Sequence, residues 1–204
     1  MFSSLTILII IITCFVSLAA FYNRSSILKL EYNPYQVIHR KEWFRLISQA
    51  FVHADFFHLF VNMWVLFIFG MLTETYYKVY FSEKGKLFYL FLYLGGILFS
   101  TLPAMAKHKN NPLYNAVGAS GAVSAVLFAS ILFRPMSDIY IMFIPFGIPA
   151  FVFGILYLIY EAYMNKRAKD NIAHDAHFWG AIFGVVFTIT LKPQIVIDFF
   201  EQIF

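Results

Sequence analysis

A serine hydroxyl and a neutral imidazole can together break an acyl bond, and Ser120 and His177 are the pair in this sequence whose surroundings suit that work. The hydroxyl is a weak nucleophile until a base takes its proton. Imidazole has the proton affinity for that role near neutral pH. Acyl transfer also needs donors aimed at the oxyanion that develops on the attacked carbonyl. His58 and Asn62 stand four residues apart, so on a helix they share one face. The N–H of Ser120, at the start of a helix, adds a third donor aided by the helix dipole. Spacing alone leaves blander readings open. His58 and Asn62 could bond between helices as structural glue, and Ser120 could bond back to its own backbone.

The elements that must position these residues follow from composition. Of 204 residues, 61% are hydrophobic and 13% charged, where a soluble domain has about 45–50% and about 25%. That excludes an ordinary water-soluble globule and a disordered chain, and the length suits one domain, 1–204. Six stretches carry no Asp, Glu, Lys or Arg: 5–21, 56–73, 87–106, 111–133, 139–160 and 176–191. A helix needs roughly 20 apolar residues to cross a bilayer. The expectation is an all-α polytopic membrane protein with six transmembrane helices at about 5–22, 56–77, 87–105, 118–133, 148–163 and 175–191. Pro145 and Pro149 keep the first half of the fifth stretch out of regular helix, and Pro103 is expected to end the third helix. No strand alternation supports a β-barrel.

Parity places the reactive residues together. Even-numbered helices run in the same direction, and His58, Asn62, Ser120 and His177 all fall in the first turns of the second, fourth and sixth. They therefore share one depth on one side of the bundle. Gly121, Ala125 and Ala129 form a small-residue stripe on the fourth helix, and Gly180 and Gly184 a GxxxG on the sixth. Such stripes let backbones approach closely in lipid. The packing seam and the reactive pair coincide.

The remaining features narrow the class. The net charge of +4 comes from scattered basic residues with no dense patch, so no nucleic-acid partner is expected. The one cysteine, Cys14, forms no intrachain disulfide and no thiolate metal site. The first apolar stretch lacks a preceding Lys or Arg and is read as a retained helix. Residues 23–54 form a long loop whose Tyr32, Tyr35, Trp43 and Phe44 suggest a membrane-associated position. The tail after Pro193 has mixed polarity that suits a membrane surface. The distribution of Lys and Arg does not settle orientation.

With its motifs in family order, the chain resembles the rhomboid family of intramembrane serine proteases over about residues 40–190. The motifs are WFR at 43–45, HADFFHLFVN at 53–62, GMLTE at 70–74, GASG at 118–121 and AHFWGAIFG at 176–184. The resemblance implies a six-helix bundle with a recessed, water-accessible site opening toward the outer face. It implies a dyad without a carboxylate, Ser120 as nucleophile and His177 as general base, with His58, Asn62 and the Ser120 N–H as the oxyanion hole. Supporting roles would fall to His53 beside the nucleophile, Arg45 in the first long loop, Glu74 near the inner end, and Gly118, Gly121, Gly180 and Gly184. Substrates would be single-pass transmembrane proteins in a lipid bilayer, reaching the site past the fifth helix, with no metal or other cofactor. Both termini would be cytoplasmic. Small size points to a bacterial plasma membrane.

One position departs from the family pattern. Many members carry an aromatic residue, often Tyr, four residues after the nucleophile, where it can stack on the base. Here it is Ser124, so His177 must be oriented otherwise, with His174 and Asp175 as neighbouring candidates. Two rival functions remain. HxxxxH at 53–58 and HxxH at 174–177 resemble the histidine boxes of metal oxygenases, but no carboxylate lies at convincing spacing. A non-enzymatic client binder or transporter is the other, without repeats or paired broken helices to support transport.

Overall fold

The protein, seen in a computed structural model, is described over residues 4–140, 145–167 and 172–204. It is mostly helical. α1 (Leu5–Tyr22) starts at Ser4, whose hydroxyl accepts from the Ile7 N–H. Its polar residues Thr6, Thr13 and Ser17 are fully buried, while Phe15 is 75% exposed. That pattern inverts the one a soluble helix shows and suits a helix whose outer face meets lipid.

Residues 23–51 are more ordered than the long loop expected from sequence. They form three short helices, α2 (Arg24–Leu30), α3 (Pro34–His39) and α4 (Arg45–Ser48), and a 3₁₀ turn at Gln49–Phe51. Asn33 caps α3 by accepting from Gln36 N–H, with Pro34 at the first helical position. α5 (Phe56–Val65) is capped by Asp55 and passes through a π turn (Leu66–Gly70) into α6 (Met71–Phe81). α7 (Gly85–His108) follows a tight turn at Ser82–Lys84 and packs back along α6, with Gly85 against the Tyr77 carbonyl.

Pro103 does not end α7, as sequence reading expected; the helix continues to His108. A proline in a membrane helix forfeits one backbone bond, which packing against neighbours can offset. Two short strands, β1 (Asp138–Ile139) and β2 (Ile148–Pro149), pair antiparallel before α9 (Ala150–Arg167). The polar segment expected at 165–171 lies outside the described residues from 168 onward. α10 (His174–Leu191) is followed by α11 (Gln194–Glu201), which turns away by 109° after Pro193.

α8 (Ser120–Phe133) is the centre. Every residue from Gly121 to Phe133 is buried, so its apolar character on all sides matches a helix surrounded by protein. α7 and α10 flank it at backbone contact. A methyl group on Gly180 would overlap the Gly121 carbonyl, and one on Gly184 would overlap the Ala125 carbonyl. Across the other face, a methyl on Gly96 would come within 2.9 Å of Ala122 Cα. By length and apolar composition, Leu5–Tyr22 and Phe56–His108 qualify as membrane-spanning stretches, and α10 qualifies only together with α11. α8 is too short for that test, and α9 ends in the polar run from Asn165.

Polar bonds lock the end of the bundle where α1 begins. The Glu74 carboxylate accepts from the Leu5 and Thr6 N–H groups at 3.1 and 3.0 Å and from the Ser4 hydroxyl at 2.7 Å, and pairs with Lys78 at 2.7 Å. Replacing Gly184 by valine tests the seam: the variant should lose about 1–3 kcal/mol of stability, read as a lower thermal midpoint in detergent. An unchanged midpoint would mean that the α8–α10 contact tolerates a wider spacing than its geometry indicates.

Candidate active site

The stretch before α8 is held from two directions. Tyr32 and Ala116 exchange backbone hydrogen bonds at 2.8 and 2.9 Å, and the Gly118 N–H donates to the Gln49 carbonyl at 2.9 Å. Arg45 anchors the short helices that supply these partners. Its guanidinium, buried, donates to the carbonyls of Leu28 (3.1 Å) and Glu31 (2.8 Å), to Gln36 Oε1 (2.9 Å) and to Glu42 Oε2 (2.6 Å). Four partners converging on one planar fork fit arginine and not lysine. Gly118 then turns the chain into α8 with φ +115°, a region that disfavours side chains. A Cβ there would also stand 2.7 Å from the His58 ring.

His53 joins α1 to the same turn. Its Nε2 accepts from the Ala119 N–H at 3.4 Å, and its Nδ1 lies 2.9 Å from Ser17 Oγ. The Ser17 hydroxyl donates to the Phe51 carbonyl at 2.8 Å, so the proton of the histidine pair belongs on His53 Nδ1. Complete burial pushes the His53 pKa down to about 3, and the nearby His58 adds to the shift. The ring is therefore neutral at physiological pH.

Ser120 is the first residue of α8 and His177 lies in the first turn of α10. Gly121 and Gly180 touch between them, and the Ala176 carbonyl sits 3.3 Å from where a Gly121 side chain would begin. No direct Ser120–His177 hydrogen bond is present among the described residues; such bonds often tighten only when substrate binds. His58 packs edge-on to His53 with ring centroids 5.0 Å apart. The Asn62 amide is buried and donates to the His58 carbonyl of its own helix at 2.9 Å. A small cavity of about 20 Å³ beside Ser120 is walled by Gln49, Ser100, Gly118, Gly121 and Ala176, room for about one water molecule.

Sequence reading missed one residue here. Glu161 of α9, buried, places one carboxylate oxygen 3.1 Å from His177 Nδ1 and the other 2.6 Å from His174 Nδ1. This corrects the expectation that no carboxylate accompanies the histidines. Spacing along one helix cannot reveal a partner on the next; the available signal was a lone acid one turn after Tyr157 on an otherwise apolar stretch. Asp175 is not that partner: its Oδ1 accepts from the Ala176 N–H. Ser124, the departure noted from the sequence, bonds the Tyr157 hydroxyl at 2.9 Å, one turn before Glu161 on α9. The Glu161, His174 and His177 donor atoms lie within 4.8 Å of one another, a spacing that a divalent cation could also bridge.

Comparison with known proteins adds the decisive observation. The rhomboid domain model matches residues 40–194, most of the chain. The chain belongs to the rhomboid family. It is 29% identical over 152 residues to RHOMBOID-like protein 12, mitochondrial, of Arabidopsis thaliana, covering 67% of this chain and 43% of that protein. It is 30% identical over 161 residues to Rhomboid-like protein 11, chloroplastic, of the same plant, covering 71% and 51%. The chain thus spans about half the length of these rhomboid relatives. Family membership and the lipid-facing apolar helices make it an integral membrane protein. The relatives' names lend no support to a bacterial plasma membrane.

The His53 geometry makes a pH prediction. In the unfolded chain the ring protonates near pH 6.5, but in the fold only near 3. Its contribution is complete above pH 6.5 and is lost as pH falls from there toward 3, by about 1.4 kcal/mol per unit. Between pH 6.5 and 5 the thermal midpoint of the wild type should fall more steeply than that of His53→Gln. Parallel pH profiles would show that His53 is not held neutral.

Proposed function

We propose that this rhomboid-family protein is an intramembrane serine endopeptidase that cleaves single-pass transmembrane proteins, with Ser120 as nucleophile and His177 as general base. The observation that carries the reading is the juxtaposition of a helix-opening serine and a histidine across the Gly121–Gly180 backbone contact. In this reading the chain crosses the bilayer six times, through α1, α5–α6, α7, α8, α9 and α10, with both termini on the inner side. α8, about 21 Å long at 14 residues, is shorter than a hydrocarbon core of roughly 30 Å. Its first residue therefore lies below the membrane surface, reached by water from the outer face and by substrate from the lipid side past α9.

The reaction runs in two halves. Ser120 Oγ attacks the scissile carbonyl while His177 Nε2 takes its proton. The oxyanion is held by the Ser120 N–H at the positive end of α8, with His58 and Asn62 as further donors. The C–N bond breaks, the leaving amine takes the proton from His177, and an acyl-enzyme remains. Water then attacks the ester, giving up its proton to His177, and Ser120 is regenerated as the acid product leaves. No cofactor takes part.

A model transmembrane substrate, incubated with purified protein and resolved by product mass, tests this. Ser120→Ala should abolish cleavage without lowering the thermal midpoint, and His177→Ala should abolish it in protein that still folds, at a midpoint lowered by the loss of a partner for buried Glu161; substantial cleavage by either would remove the pair from the chemistry. Asn62→Ala should slow turnover by about 10²-fold or more without stopping it. An unchanged rate would take Asn62 out of the oxyanion hole.

A further inference from the structure

The carboxylate of Glu161 stands between two imidazoles, one oxygen to each, on a helix that otherwise buries only Ala150 and Gly154. A buried acid needs partners, and this one meets His174 Nδ1 and His177 Nδ1. A carboxylate is an acceptor only, so His177 must present N–H at Nδ1 to bond it. That fixes the tautomer. The lone pair of the neutral ring is then on Nε2, the nitrogen that does not face Glu161. A histidine whose Nδ1–H is held by a carboxylate is oriented for proton abstraction and stabilised when it becomes imidazolium.

Resting on the assignment of His177 as base, we propose that Glu161 is the positioning residue of this base: it holds His177 by Nδ1 so that Nε2 faces Ser120, with His174 holding Glu161. The arrangement takes over the place of the missing aromatic at Ser124. There the Ser124 hydroxyl reaches Tyr157 at 2.9 Å and so ties α8 to α9 one turn before Glu161. Each imidazole donates its Nδ1–H to a different oxygen of the one carboxylate, so rotating either ring would strand a buried oxygen. The base is thus oriented from α9, not from α8.

The test uses the full chain in detergent with the model substrate. Glu161→Gln, which keeps shape and removes charge, should lower kcat by about 10²-fold with KM within twofold and the thermal midpoint within a few degrees. Glu161→Asp should recover part of the loss. If Glu161→Ala fails to fold, Glu161→Gln alone decides. A kcat within twofold of wild type for Glu161→Gln, in a preparation where Ser120→Ala is inactive, overturns the proposal and leaves the protease assignment standing. Inactive wild-type protein overturns the protease assignment instead. A readout independent of turnover is the ¹⁵N spectrum of histidine-labelled protein, with the His177 resonances identified by their loss in His177→Ala. The Nδ1–H tautomer is expected, and the Nε2–H tautomer would contradict the proposal. Metal-free protein in chelator should cleave at the wild-type rate. Activity lost in chelator and restored by zinc would assign the three side chains to a cation and overturn the positioning role.

Discussion

The contact between the Gly121 carbonyl and Gly180 sets the spacing on which the rest of the molecule depends. Two parallel helices meet backbone to backbone there, and again at Ala125 and Gly184. In lipid no hydrophobic force separates protein from solvent as water does, so close van der Waals packing is a main source of helix association. Small residues make that approach available, and any side chain at these positions would push α10 outward. Ser120 and His177 are each within a turn of this contact, so the width of the seam is also the width of the site.

Around this seam buried polar residues sit among the apolar core, and large apolar side chains also cover the outer surface. Thr6, Thr13, Ser17, His53 and Glu74 are buried, while Phe15, Phe56 and Val79 are largely exposed. Each buried polar cluster connects elements distant in sequence. Glu74 receives the start of α1, Arg45 gathers the short helices, and His53 joins Ser17 to Ala119. Tyr32 carries that rigidity to Ala116 and so to the turn that presents Ser120. The Ser120 end of α8 is thereby fixed by residues from the first half of the chain.

Much of this was legible in the sequence because the bilayer imposes strong rules. Charge-free stretches mark where helices lie, and the GxxxG of α10 opposite Gly121 marks the seam. The short helices at 24–48 were not legible: their stability comes from Arg45 and from docking on α7, which no local pattern records. The persistence of α7 beyond Pro103 depends likewise on its neighbours. Glu161 was hidden for a related reason. It ends an apolar stretch, where an acid ordinarily reads as the approach to a loop, and its partners lie on the next helix. Ser124 hinted that something else must orient His177, but a side-chain position on one helix does not say which helix replies. α9 is the least buried of the long helices, so the contact between Glu161 and His177 depends on how α9 is seated.

The central claim is that His177 activates Ser120 within the folded protein. Reaction of the intact chain with a fluorophosphonate, followed by peptide mass mapping, measures this without any substrate. The account predicts an adduct on Ser120 in the wild type that disappears in His177→Ala, both proteins being folded at the temperature of the reaction. An unmodified Ser120 in the folded wild type, or equal modification without His177, would contradict it.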